Sequence, residues 1–219
     1  MTKLKLNLLM ARLASHHTRL AIKQSTNLVF SEAIEKPLKR FATEAGNARL
    51  FRTRYLTNEY QSQLKVSSFF QNWSLALPPS YEIAKLLFSA RSAALGQTGN
   101  CGEMSEFAFS HLAKSMVFPL DLLLITTEEN PCDAHSVCVI GRNAKSDLSR
   151  PENWGNDCVI CDPWSPLVFP AADYIEVSQR LPFWLAKPIV ESVCRMESWT
   201  EYLKSSIDTN KGMTINLFR

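Results

Sequence analysis

The sequence predicts an α+β fold in which one helix packs on a small antiparallel sheet beside a helical N-terminal lobe. Apolar residues recur at helical spacing almost to residue 95, an amphipathic helix follows from Cys101, and three short strand-like runs then alternate with polar loops. With 219 residues, of which 46% are hydrophobic and 21% charged, the chain suits one compact domain. We assign residues 1–95 to the N-terminal lobe and 96–219 to the core.

The first 31 residues are basic, with no acidic residue before Glu32. Their leucines Leu6, Leu9, Leu13 and Leu20 fall on one face of a helix, which makes the segment amphipathic. We interpret it as a first helix packed on the domain, with a membrane-surface helix or an organelle-directing segment as the alternative. A secretory signal is disfavoured because a charged residue, at position 12, interrupts the apolar stretch. No run approaches the ~20 apolar residues that a membrane span needs.

The remaining elements follow from periodicity and from proline and glycine breaks. We predict helices over 28–41, 49–70 and 81–95, a loop over 96–99, and a helix from Cys101 whose apolar stripe faces a core. Strands are predicted over 120–126, 134–141 and 158–162, separated by loops at 127–133 and 143–157. A last helix is predicted from 189 to about 203.

The N-terminal part of the chain has a positive net charge and the rest a negative one. Residues 1–65 hold 12 Lys and Arg against 4 Asp and Glu, and residues 66–219 hold 12 against 17, which gives +8 and −5. A solvated basic face is the interpretation that we prefer, and acidic lipid or an acidic protein is the alternative. Aromatic residues are not interleaved with the basic ones, so we expect no nucleic-acid partner.

Six cysteines without a secretion signal indicate reduced thiols and a reducing compartment. A zinc site is an alternative, since Cys132 with His135 and Cys158 with Cys161 have spacings found in structural zinc sites. The second pair lies in a predicted strand, where residues three apart point to opposite faces. We therefore expect no metal and no cofactor.

Three short motifs bring together the groups of a nucleophilic acyl-transfer site. Cys101 follows Gly99-Asn100 at a predicted helix start, where the helix dipole favours a thiolate. His135 opens a strand, from which one ring nitrogen reaches a thiol and the other a carboxylate. Asp162 ends a buried strand, where a carboxylate needs a partner such as His135. Trp164 is the candidate shield of the His–Asp pair. Each residue also has a purely structural interpretation. Cys101 is then an inert thiol at a helix start, His135 a core histidine, Asp162 a turn cap and Trp164 a core aromatic.

An oxyanion requires hydrogen-bond donors beside the thiol. The backbone N–H of Cys101 is the first candidate, and the side chains of Gln97 and Asn100 compete for the second place. Both side chains also suit ordinary turn chemistry. Gly99 and Gly102 are expected to permit close backbone approach around the nucleophile.

Together, Gly99-x-Cys101-x-Glu103 at a helix start, His135 opening a strand and Asp162-Pro163 ending the next resemble the core of the transglutaminase-like branch of papain-like cysteine enzymes. Within that group the chain is most similar to bacterial secreted effectors that attack glutamine side chains of host proteins. The resemblance covers residues 96–165. The chain lacks the Trp that follows the nucleophile of tissue transglutaminases and the Asn of papain-type peptidases, and no calcium-binding machinery is visible in the sequence. The resemblance therefore does not carry over calcium dependence or substrate.

The resemblance implies a catalytic core at 96–219 that transfers or deamidates protein glutamines through a thioester. It also implies a protein substrate from a host cell, a possible protein inhibitor or regulator, export from a bacterium by a dedicated secretion system without a signal peptide, and action in the host cytosol. Two alternatives stay open: a cysteine peptidase that uses the same triad, and a non-enzymatic interaction module with a basic helical half.

Overall fold

The chain folds into an α+β arrangement in which helices cover one face of a five-stranded antiparallel sheet. The structure is a computed structural model. It describes residues 1–25, 49, 51–52, 54–56, 58, 81–126, 134–180 and 188–203.

The described helices are α1 (Lys3–Ala21), α2 (Tyr81–Gly96), α3 (Cys101–Lys114) and α4 (Tyr174–Arg180). The strands are β1 (Leu120–Thr126), β2 (His135–Ile140), β3 (Val159–Asp162), β4 (Leu167–Pro170) and β5 (Ile189–Met196). Single 3-10 turns occupy Pro151–Asn153 and Ala171–Asp173. The predicted helix at 81–95, the helix start at Cys101 and the strand at 120–126 are confirmed, and the two other predicted strands are confirmed to within a residue at their ends.

Helix α3 begins at Cys101 because the residues around it satisfy its first turn. Asn100 is the N-cap, and its backbone N–H donates to Glu103 Oε2 at 2.9 Å. Glu103 also complements the positive end of the helix dipole. Ser105, one turn into the helix, donates its hydroxyl to the carbonyl of Ser136 at 2.7 Å and so ties α3 to β2.

The sheet order is β4-β3-β2-β1-β5. Side chains alternate between its faces, and each face has its own apolar cluster. Leu122, Cys138 and Cys161 face the helices, where they pack with Phe109 and Leu112 of α3 and small residues of α1. The opposite face packs Val137, Val139 and Ile160 against Trp154, Phe169 and Tyr174. Because β2 and β3 are antiparallel, the start of β2 lies beside the end of β3.

Helix α1 packs on the domain as expected, but the four leucines of the predicted stripe do not make the contact, whereas Leu4 and Leu8 pack against the core. Its buried face consists of small and polar residues: Asn7, Ala11, Ala14, Ser15 and Thr18. The side chain of Asn7 donates to the carbonyl of Asp157 at 2.8 Å. Small side chains let the helix backbone approach the sheet closely, and Cys161 Sγ lies 3.4 Å from the carbonyl of Ala11. The leucine face therefore points to solvent.

The predicted helix over 189–203 is wrong for its first half. Residues Ile189–Met196 form β5, and helical structure begins only at residue 199. The apolar residues of this stretch fit the helical period of about 3.6 residues as well as the strand period of 2. Pairing with a neighbouring strand selects the strand. Strand β1 pairs with β2 along one edge, and its other edge carries backbone groups that β5 satisfies through register from Leu120↔Met196 to Thr126↔Ile189.

A buried charge cluster crosses the sheet away from the candidate residues. Asp121 is fully buried and accepts hydrogen bonds from Arg142 Nη2 at 2.8 Å and Arg195 Nη1 at 2.7 Å. Two guanidinium groups therefore compensate one carboxylate, which a buried charge requires. The sequence offered no motif for this cluster, whose members come from β1, the turn after β2 and β5.

Two predicted helices lie mainly outside the described residues. These are 28–41 and 49–70, although the described positions between 49 and 58 include helical ones. Within the described ranges, no helix is long and apolar enough to cross a membrane.

Candidate active site

Cys101, His135 and Asp162 meet where the N-terminus of α3, the start of β2 and the end of β3 come together. His135 Nε2 lies 2.6 Å from Asp162 Oδ2, and both side chains are buried. The Cys101 thiol lies close enough to the imidazole to contribute to the raised pKa of His135, and Cys101 Sγ donates to the carbonyl of Ala134 at 3.9 Å. Because Nε2 is hydrogen-bonded to Asp162, Nδ1 is the ring nitrogen that remains available to the thiol. The three residues form a thiol–imidazole–carboxylate chain.

Asp162 is fixed by four hydrogen bonds. Its Oδ1 accepts from the backbone N–H groups of Trp164 at 3.1 Å and Ser165 at 3.2 Å. Its Oδ2 accepts from the Ser165 hydroxyl as well as contacting His135. Both oxygens are therefore used as acceptors, which suits an ionised carboxylate and compensates its burial. The turn after β3 holds the carboxylate in place for the imidazole.

The environment favours the protonated form of His135. Burial alone lowers the pKa of His135, but the charge of Asp162 and the hydrogen bonds with Asp162 and Cys101 outweigh it and raise the pKa to about 10. An imidazolium beside the thiol stabilises a thiolate.

The shifted pKa predicts how stability changes with pH. Below pH 6.5 His135 carries its proton in the folded and the unfolded chain, and its stabilising contribution is complete. Between pH 6.5 and about 10 only the folded chain keeps the proton, so this contribution falls as the pH rises and is lost above about 10. The difference in free energy of unfolding between wild type and His135→Gln is expected to shrink across that window.

Denaturant unfolding at several pH values measures this difference. Val137→Ala, on the same strand, removes buried methyl groups and no titrating group, so its destabilisation should stay constant over the window. A wild type–His135→Gln difference that stays equally constant contradicts the shifted pKa.

Cys101 is the most accessible of the described cysteines. It is partly exposed, whereas Cys138, Cys158, Cys161 and Cys194 are buried, and all five are free thiols. Burial raises the pKa of the Cys138, Cys158 and Cys161 thiols, which keeps them protonated and unreactive. Cys132 lies outside the described residues.

The indole ring of Trp164 contacts the imidazole ring of His135. Its ring centroid lies 5.3 Å from that of His135 with a tilt of 53°. The indole Nε1 donates to Ser25 Oγ at 3.1 Å, and Ser25 in turn donates to Asn100 Oδ1 at 2.9 Å. This chain of hydrogen bonds joins the turn after β3 to the residue before Cys101.

The two oxyanion candidates have different surroundings. Asn100 is buried, lines the cavity beside Cys101 and is held by Ser25. Gln97 is exposed and has a positive φ of 53°, and its carbonyl accepts from the N–H groups of Lys23 and Gln24. Gln97 thus anchors the segment after α1. The first N–H groups of α3, Cys101 among them, lack intrahelical acceptors and are the stronger oxyanion donors.

The two glycines near the nucleophile differ. A Cβ on Gly99 would lie 2.8 Å from Glu103 Cβ, so close approach is required there, as expected. A Cβ on Gly102 would meet no atom within 4 Å, so the expected close contact is absent at that position. Gly102 lines the cavity, and its missing side chain leaves the space beside the thiol open.

A cavity of about 500 Å³ opens beside Cys101. Arg54, Ser89, Glu103 and Glu106 lie on its wall, and Arg54 Nε donates to Glu103 Oε1 at 2.8 Å. Burial raises the pKa of Glu106 to about 8, although the hydrogen bond from Ser89 lowers it. Glu106 is therefore largely a neutral acid at pH 7. Sequence reasoning missed Arg54 and Ser89 as site residues, because no motif links them to Cys101.

The alternative zinc site finds little support in the described residues. Cys158 and Cys161 lie in opposite apolar clusters, as their spacing in a strand predicts. Among the described residues, no group of three or more His, Cys, Asp and Glu side chains is placed to hold a metal. Because Cys132 is outside those ranges, the Cys132–His135 spacing stays untested, and a measurement of bound zinc decides it.

No similarity to a known protein informs the function, so a functional assignment has to be based on the site geometry. No protein-family model matches the chain, and no curated protein matches its sequence.

Proposed function

We propose that this protein is a cysteine acyltransferase that acts on glutamine side chains of proteins, as a deamidase or a transglutaminase. The observation that carries the proposal is the chain from Cys101 through His135 to Asp162, in which His135 Nε2 lies 2.6 Å from Asp162 Oδ2. A thiol at a helix N-terminus, paired with a histidine that a buried carboxylate orients, is the arrangement that thiol acyl transfer uses.

The first half-reaction forms a thioester. The Cys101 thiolate attacks the carboxamide carbon of glutamine, a C–S bond forms, and the carbonyl oxygen takes up negative charge facing the first N–H groups of α3. His135 then gives its proton to the amide nitrogen, the C–N bond breaks, and ammonia leaves. Asp162 stabilises the imidazolium and holds the ring in position throughout.

The second half-reaction releases the product. Neutral His135 takes a proton from water or from a lysine amine, which attacks the thioester carbon, and the C–S bond breaks to restore the Cys101 thiolate. With water the product is glutamate, and with an amine it is an isopeptide crosslink. The acceptor alone distinguishes deamidation from crosslinking.

The polar cavity supports a carboxamide as the substrate group. Ser89, Glu106 and Ser136 lie around the space beside Cys101, and a carboxamide needs both donors and acceptors. With a pKa of about 8, Glu106 offers these hydrogen bonds at neutral pH while remaining largely uncharged itself.

The fold is consistent with this proposal. A nucleophile helix packed on an antiparallel sheet, with the histidine and the aspartate on two successive strands of that sheet, is the arrangement expected for a papain-like, transglutaminase-like core. We include in the proposal that the protein is a secreted bacterial effector that modifies a protein of the host cytosol. The buried free thiols suit such a reducing compartment.

Incubation of a host-cell lysate with the purified protein and a labelled primary amine tests the proposal. Deamidation adds about one dalton to individual glutamine sites, whereas transglutamination incorporates the amine or produces high-mass ladders. Cys101→Ala protein is the control, because it removes the thiol and leaves the helix start in place.

New protein N-termini without glutamine modification would instead identify a cysteine peptidase. Equal glutamine modification by wild type and Cys101→Ala would refute a thiol mechanism.

A further inference from the structure

The outer face of α1 carries four exposed leucines that the fold does not bury. This leucine stripe consists of Leu6, Leu9, Leu13 and Leu20, which are 42%, 46%, 41% and 58% exposed. Their spacing places all four on one side of the helix. Helix α1 packs on the domain through its opposite face, so the stripe has no part in that packing.

Basic residues border the leucine stripe on both sides. Lys5 and Arg12, seven residues apart, lie along one side, and Lys3 lies on the other. All three are exposed. Residues 1–31 contain no Asp or Glu, so α1 itself contributes no negative charge to this face.

We infer that α1 rests on an anionic lipid bilayer, with the leucine stripe among the acyl chains and the flanking basic residues at the headgroups. An apolar stripe with exposed cations on both sides fits a surface that is apolar in depth and negatively charged at its boundary. A protein partner would need an apolar groove with an acidic rim on each side. The helix lies in the membrane plane rather than across it, since Arg12 stands at its middle and no described helix is apolar enough to span.

The same helix is attached to the candidate active site. Arg19 Nη1 donates to the carbonyl of Pro163, next to Asp162, at 3.4 Å. The backbone N–H groups of Lys23 and Gln24, just after α1, donate to the carbonyl of Gln97 at 3.0 and 3.1 Å. A bilayer that holds α1 therefore holds the catalytic end of the domain near the lipid surface and presents it to membrane-associated proteins.

Vesicle co-sedimentation of the full chain tests the inference without any measurement of activity. Wild type is expected to sediment with vesicles of phosphatidylcholine and phosphatidylserine, less with phosphatidylcholine alone, and less at high salt. Leu9→Asn/Leu13→Asn is expected to lower binding to the anionic vesicles by about tenfold or more, since two partly inserted leucines are lost. Lys5→Gln/Arg12→Gln is expected to lower it by roughly thirtyfold.

Matched controls separate the stripe from general surface effects. Leu95→Asn changes a leucine that is 72% exposed at the end of α2, and Lys145→Gln/Arg180→Gln removes two exposed cations elsewhere. Both controls should bind as wild type does, and thermal unfolding should show that the α1 variants remain folded. Wild type that stays in the supernatant with anionic vesicles overturns the inference, as does unchanged binding by the leucine variant.

Discussion

Replacement of Cys101 with alanine is expected to lower the rate of glutamine modification by about 10⁴-fold or more. In the proposed mechanism the thiol supplies the atom that bonds to the substrate carbon, and the described part of the chain places no second accessible thiol in the cavity. The fold should persist, because alanine suits the first position of α3 and the N-cap contact of Asn100 with Glu103 does not involve the thiol. The initial rate of conversion at the sites identified in a lysate measures the loss.

Cys194→Ala is the matched control for this change. It removes the same atom from a buried cysteine of β5, which packs in the apolar cluster between sheet and helices. We expect activity close to that of wild type and a modest loss of stability. Activity that falls equally in both variants would place the effect in the fold rather than at the nucleophile.

Replacement of His135 with glutamine is expected to lower the rate by about 10³-fold or more. Glutamine retains a donor for Asp162 but cannot take up or deliver a proton, so both half-reactions lose their acid and base. The exposed His16 provides the control, since His16→Gln changes a histidine on the surface of α1. The pH–rate profile distinguishes a catalytic from a structural role, because a proton-transfer residue contributes its own titration and a packing residue does not.

The convergence of the three candidate triad residues was predictable because each stands at the end of a strongly patterned element. Asn100 and Glu103 identify the helix start, the alternation after His135 identifies a strand, and Pro163 ends the next strand after Asp162. Motif order, helix then strand then strand, was enough to expect that the three side chains converge. Their mutual contacts needed the antiparallel pairing of β2 and β3, which places one strand start beside the other strand end.

Other features depend on contacts between distant parts of the chain. Ser89 reaches Glu106 from α2, and Arg54 reaches Glu103, although nothing in either local sequence suggests a site. The sequence of β5 was interpreted as a helix because its apolar residues fit the helical and the strand period alike. Its strand structure follows from backbone pairing with the second edge of β1. The leucines of α1 marked an amphipathic helix correctly, yet the close approach of α1 to β3 selected the small-residue face for burial.

Alkylation of the folded protein by iodoacetamide, mapped by peptide mass spectrometry, tests the central claim most directly because it needs no substrate. At about pH 6, where ordinary thiols are protonated, Cys101 should be labelled before the other five cysteines, and the His135→Gln variant should label Cys101 about tenfold more slowly or slower still. The buried thiols of Cys138, Cys158, Cys161 and Cys194 should react only on unfolding. Labelling of Cys101 at the rate of an ordinary thiol, or at the same rate without His135, would contradict an activated nucleophile at the start of α3.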